Sequence, residues 1–159
     1  MREPYILFQV AETTYAVPSA QVQQVVMLEG VTRVPNAPDF VEGVVYVRGH
    51  VVPVVDLRAR FGFERRPYDI RSRLVIVNLD ERWVGMAVDS AREFCSLESD
   101  DIHPPPKDEL AIRADYVVGV LSQEKRLILV LDLRRLLSAE EVETLPVTDD
   151  AGHMEKENG

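Results

Sequence analysis

Two Asp-Leu-Arg triplets, at Asp56 and Asp132, hold the carboxylates of this chain that most invite a chemical reading. Asp56 stands six residues after His50 and two before Arg58. A carboxylate beside an imidazole or a guanidinium is the material of acid–base chemistry. The competing reading is structural. An Asp at the end of a strand accepts the free amides that open a helical turn. Leu57–Phe61 and Leu133–Leu137 both suit such a turn, and a cap is needed after both triplets where a catalytic pair is not. Both aspartates are therefore read as caps.

No other constellation supports catalysis. Cys95 is the single cysteine, so no intrachain disulfide forms, and the thiol reads as buried and inert. His50, His103 and His153 lack metal-ligand spacing, and no CxxC pair is present. There is no Gly-x-Ser-x-Gly and no phosphate loop, and Ser19 and Ser90 have no neighbouring histidine. Trp83 and Tyr46 read as core aromatics of strands. The expectation is a chain that is not an enzyme, holds no cofactor and no metal, and presents surface to other proteins.

The formal net charge is −9, which repels nucleic acid. One basic cluster, Arg58, Arg60, Arg65, Arg66, Arg71 and Arg73, reads as a solvated loop in preference to a docking patch for an acidic partner. No apolar run approaches the ~20 residues that span a bilayer. The first residues lack the apolar segment of a signal peptide, so a cytoplasmic protein without membrane insertion is expected. With 159 residues, 46% of them hydrophobic, the chain suffices for one domain or two small barrels around one core.

The elements come in two sets. Ala16-Val17-Pro18-Ser19-Ala20-Gln21 resembles Ala87-Val88-Asp89-Ser90-Ala91-Arg92, and Gly43-Val44-Val45 resembles Gly119-Val120-Leu121. Each glycine precedes an Asp-Leu-Arg by thirteen residues. The offset is 71 residues at the first landmark and 76 at the later ones, as a five-residue insertion would produce. Order and spacing point to a duplication. Hairpins are predicted around Ala11–Thr14 and Asp80–Arg82, and a short helical segment over Ser19–Val26 with Val22 and Val25 on one face. Val51–Val55 and Leu127–Leu131 are apolar throughout, as strands buried on both faces are. Two barrels packed together satisfy this. Pro53 implies an edge or a bulge. Ser138 and Glu141 have capping-box spacing for a helix over 139–145, followed by a flexible acidic tail over 147–159.

Arg48-Gly49-His50 connects two valine strands, and Gly49 accepts positive φ at little cost. The matching connection, Ser122–Arg126, reads as longer. A turn arginine by itself is ordinarily just solvated.

The ordered series Pro35-x-x-Pro38, Gly43, Arg48-Gly49 and Pro53-Val54-Val55-Asp56-Leu57-Arg58 resembles the CheW family of bacterial chemotaxis coupling proteins. The likeness extends over about residues 4 to 145. It implies an all-β fold of two SH3-like five-stranded β-barrels around a shared hydrophobic junction, with short helices and a C-terminal helix. The repeats suggest a first barrel over about 4–64 and a second over about 73–137. It also implies a non-catalytic adaptor that binds the cytoplasmic tip of chemoreceptors and the regulatory domain of a histidine kinase, recruited to membrane-associated arrays and monomeric in isolation. Arg48, Gly49, Val22, Val25, Leu74 and Val75 match positions implied in receptor coupling, and Gln24 and Gly43 positions implied in contact with the kinase. Tyr46 stands where the family often has Asn, and Gln24 where it often has an acid.

Three alternatives remain at this level. The same adaptor role can serve a non-motility chemosensory pathway. A small-ligand-binding barrel would need an enclosed polar pocket. A piece of the kinase's own regulatory domain is the third, and Met1 close to the first strand favours a standalone protein.

Overall fold

Ten strands are formed among the described residues, joined by tight turns and by three longer connections over 28–40, 57–72 and 99–116. They are β1 (Arg2–Val10), β2 (Thr13–Pro18), β3 (Val22–Met27), β4 (Val41–Val47), β5 (His50–Asp56), β6 (Arg73–Leu79), β7 (Arg82–Val88), β8 (Ser90–Glu98), β9 (Val117–Gln123) and β10 (Arg126–Leu131). Two helical turns, α1 (Leu57–Phe61) and α2 (Leu133–Leu136), follow β5 and β10. This computed structural model describes residues 1–106, 108 and 110–137, with the backbone alone at 92 and 93. The helix expected over 139–145 and the tail over 147–159 lie outside the described residues.

The strands form two five-stranded SH3-like barrels, ordered β8-β1-β2-β10-β9 and β3-β6-β7-β5-β4. These are not the barrels expected from the repeats. Each repeat sends its first hairpin into the barrel built mainly by the other repeat. β2 pairs in parallel with β10, and β7 with β5, so each barrel is closed by strands from both repeats. The physical cause lies at Ser19–Gln21. A single 3-10 turn there, not two helical turns, carries the extended chain straight on from β2 into β3. A reversal would have needed a hairpin turn. Val22 and Val25 thus lie on a strand, whose bulge falls between Val22 and Gln24.

All four hairpins use two-residue turns with positive φ at both central positions: Ala11–Glu12, Arg48–Gly49, Asp80–Glu81 and Glu124–Lys125. This twist suits right-handed strands. The turn matching Arg48–Gly49 is therefore not longer: Gln123 pairs with Arg126. Pro53 lies in an interior strand rather than at an edge, but pairing with β7 begins only at Val54, so the missing N–H is tolerated.

Alternation assigns the core. Tyr5, Leu7, Ala16, Ile128 and Val130 fill the first barrel, and Val52, Val54, Leu74 and Ile76 the second. The opposite faces meet at the junction. Among the described residues, 22 buried side chains join there, against seven and six inside the barrels. Tyr15 is its centre, 5.0 Å from Phe61 and 6.0 Å from Phe8 between ring centroids. The two-faced apolar runs thus have their explanation, except at Leu127, which is exposed at the start of β10.

The segment 64–71 is solvent-exposed, as a solvated loop is, but most of the basic cluster is paired within the molecule. Arg58 donates to both oxygens of Asp89, at 3.0 and 2.9 Å, and Arg66 lies 3.2 Å from the same carboxylate. The Ala11 amide donates to Asp89 at 2.8 Å, which ties the first hairpin to α1. Arg60 donates to the Leu136 carbonyl at 2.8 Å and stacks on Phe40 and Tyr116. Arg65 pairs with Glu42 and Asp56.

Burial alone would raise the Asp89 pKa, but the Arg58 hydrogen bonds and the Ala11 amide outweigh it and hold it below the ordinary range. Its pairing therefore stabilises the fold above about pH 4, the unfolded value, and is lost as pH falls through the depressed folded value. Asp89→Asn is expected to cost about 2 kcal/mol at neutral pH. It should also flatten the fall in stability below pH ~4. Urea unfolding at neutral and acid pH checks this. Equal acid losses in both proteins would contradict the assignment.

Candidate functional site

The two triplets come first. The Asp56 carboxylate accepts the Ala59 amide at 3.2 Å, and Asp132 accepts the amides of Arg134 and Arg135 at 3.1 and 3.2 Å. Both are caps. Asp56 is also buried and accepts the Tyr68 hydroxyl at 2.8 Å. Burial and that carboxylate push the Tyr68 phenol far above its ordinary pKa. His50 sits at the other end of β5 from Asp56, about 20 Å away at ~3.3 Å per residue. It stacks instead on Trp83, with ring centroids 4.2 Å apart. The pair cannot act as a dyad. Among the described residues no cluster of His, Cys, Asp or Glu is placed to hold a metal ion. No described helix is long and apolar enough to cross a membrane.

The exposed features converge elsewhere, where β3 and β4, the two end strands of the second barrel, approach each other. Thr32 and Val44 exchange two backbone hydrogen bonds of 2.8 Å and close the seam at one end. Beyond them the strands diverge around a groove of about 400 Å³. Met27 and Gly30 line one side, Tyr46 and Arg48 the other, and Leu74 the floor. Tyr46 is 65% exposed, Met27 51% and Val25 37%. Exposed large apolar side chains gathered beside Arg48, with the carboxylate of Glu29 also in the groove lining, mark an interaction site.

Arg48 is exposed at the turn, with φ of 52°. Its side chain makes no hydrogen bond or ion pair with the described residues. The left-handed backbone is no argument for function, because Ala11, Asp80 and Glu124 hold the same turn position. The argument is the company it keeps. Gly49, at φ 82°, completes the turn with open space around its Cα.

The structure separates the remaining expected site residues. Val25 projects outward with Met27, while Val22 packs on the junction core and Gln24 is half-buried. Leu74 and Val75 are 1% and 0% exposed. Neither offers an exposed face: Leu74 fills the second barrel beneath the groove, and Val75 fills the junction, because adjacent residues of a doubly covered strand point into two cores. Gly43 is buried, too. A Cβ there would stand 2.1 Å from the Thr32 carbonyl oxygen, so the glycine permits seam closure. Gly119 repeats the device against His103 in the first barrel.

Tyr46 and Met27 were missed by sequence reasoning. Tyr46 reads as a core aromatic, yet lies on the outer face of an end strand. Its signal was the alternation Val45-Tyr46-Val47, which places it opposite to Val45.

The CheW-like domain family matches residues 4–141 of this chain. The Chemotaxis protein CheW of Klebsiella aerogenes is 31% identical over 140 residues, covering 88% of this chain and 84% of that protein. The Chemotaxis protein CheW of Treponema pallidum is 27% identical over 144 residues, covering 88% and 85%. Among solved structures, the scaffolding protein TtCheW of Thermoanaerobacter tengcongensis superposes with a TM-score of 0.80 at 30% identity, covering 89% of this chain and 91% of that one.

Proposed function

Since the chain belongs to the CheW-like domain family, and is thus a non-catalytic adaptor of chemotaxis signalling, we propose that it couples the cytoplasmic tip of chemoreceptors to the regulatory domain of a histidine kinase. The observation that carries this reading is the exposed Tyr46, Met27 and Val25 surface around Arg48. A helix laid on that surface gains apolar burial from the strands and a charge partner from Arg48. Arg48, Gly49 and Val25 belong to this receptor-contact surface, with Tyr46 and Met27 added. Gln24, at the half-buried margin of β3, remains the kinase-contact residue. Val22, Leu74, Val75 and Gly43 act beneath the surface by holding the strands that present it. Such an adaptor works at membrane-associated receptor arrays.

Affinity capture from native cell extract, with bound proteins identified by mass, tests the reading. The wild type is expected to retain a chemoreceptor and a histidine kinase. Arg48→Ala should weaken the receptor about thirtyfold, the loss of about 2 kcal/mol typical of a central interface arginine. Equal capture of the receptor by both proteins would return Arg48 to a merely solvated turn. Capture of neither partner by folded protein would overturn the adaptor reading.

A further inference from the structure

We propose that the open mouth of the first barrel binds a small, multiply charged oxoanion. Inside this barrel the inward positions are apolar along each strand, as far as Leu7 on β1, Ala16 on β2 and Ile128 on β10. Two residues further, each strand places a polar residue on the same inner face: Gln9, Thr14 and Arg126. Ser90 pairs with Gln9 and adds a hydroxyl from β8. Period-two alternation thus turns one end of an apolar barrel into a ring of hydrogen-bonding groups.

That ring surrounds a cavity of about 510 Å³, with Leu7 and Phe8 at its base. The volume is in the range of small-molecule sites, and barrel mouths are a recurrent place for them. Arg71 reaches the cavity from the segment before β6, which belongs to the second barrel. Its neighbours Arg58, Arg65 and Arg66 are committed to Asp89, Glu42 and Asp56. The Arg71 backbone amide donates to Asp69, but its guanidinium has no hydrogen-bond or ion-pair partner among the described residues. No carboxylate belongs to the described residues that line the cavity.

The uncommitted Arg71 guanidinium, two hydroxyls and an amide around one cavity suit a phosphate or carboxylate group, which accepts several hydrogen bonds at once, while Arg126, which has a partner of its own, adds positive charge to the rim. In a chain of net charge −9 the long-range field works against anions, so binding here depends on these local donors. A bound anion also bridges the first barrel and the Arg71 segment of the second. The site lies in the other barrel from the Arg48 groove and does not depend on the adaptor reading.

The test is a titration of the full chain with inorganic pyrophosphate and, separately, with citrate, followed by amide NMR shifts. Saturable shifts centred on Gln9, Thr14 and Ser90 are expected with at least one of the two. Pyrophosphate alone would assign the site to phosphate groups, and citrate alone to carboxylates. Arg71→Ala should weaken the response about tenfold, the loss of one charge-assisted hydrogen bond. Arg73→Ala removes the same charge nearby and should leave it unchanged, because that guanidinium donates to the Ile70 and Ser72 carbonyls instead. Since Arg71 is exposed, its replacement leaves the fold intact, as an unchanged melting temperature will show. No saturable shift with either anion, or equal weakening by both substitutions, would overturn the proposal.

Discussion

The first repeat alone, residues 1–64, is expected to be unfolded in solution. A hairpin of β1 and β2 would lose β8 and β10, its partners on either side. A separate β3, β4 and β5 would lose β6 and β7, the two strands that lie between β3 and β5. Neither remnant has three paired strands covering a hydrophobic face, which independent stability requires. Tyr15, Phe61 and Val55 would be left facing water. The expected loss is the whole stability of the fold, about 5–15 kcal/mol for a domain of this kind. Circular dichroism of the fragment should show a disordered chain, and addition of 65–159 should restore the β signal. A fragment that melts cooperatively by itself would show that a repeat can close on its own strands. The shared junction core also predicts one unfolding transition for the intact chain, because opening either barrel exposes the apolar face that the other packs against.

Gly43→Val is the second change with a large expected effect. Its φ of 153° disfavours a side chain, and the Cβ would overlap the Thr32 carbonyl, leaving no rotamer that escapes. Relief requires opening the seam and breaking both Thr32–Val44 hydrogen bonds. Backbone strain of about 1–3 kcal/mol and about 1 kcal/mol for each bond make a total near 4 kcal/mol. The hairpin that carries Tyr46 and Arg48 would shift with the seam. Chemical denaturation and partner capture should therefore fail together. Loss of capture at unchanged stability would instead make Gly43 a direct contact, as its likeness to family positions first suggested. Arg48→Ala makes the opposite pairing, with partner loss at unchanged stability, so the two variants separate support from contact.

Much of the fold was legible because it is local. Asp56 and Asp132 announce caps by type and by position after a strand. The valine-rich runs announce strands covered on both faces, and the repeated glycines announce equivalent places in two related units. Arg48 was legible as a turn residue, and its likeness to the family's turn arginine directed attention to the surface it occupies. The burial of Leu74 and Val75 was not legible, for a physical reason. Adjacent positions on a strand point to opposite faces, and from sequence nothing distinguishes a face toward a partner from one toward a second core. Tyr46 shows the converse error, since an aromatic among valines signals burial until the strand is known to lie at the end of its sheet.

The sequence by itself determined that this chain folds as strands in two related sets, closes them with capped turns, and belongs among the CheW-like domains. Only the tertiary structure decided which strands pair. β2 and β7 carry similar residues, and β5 and β10 do as well, so either could serve the other's barrel by composition alone. The choice rests on geometry: the extended passage from β2 to β3 through a single turn leaves the first hairpin next to β10. The arginines followed the same rule. Six stand together in the chain, but the pairing of distant strands brings Asp89 to Arg58 and Arg66, and Glu42 to Arg65, and leaves Arg71 at the mouth of the first barrel. Strand character is a property of a few neighbouring residues, whereas charge neutralisation and exposure depend on contacts between residues far apart in the chain.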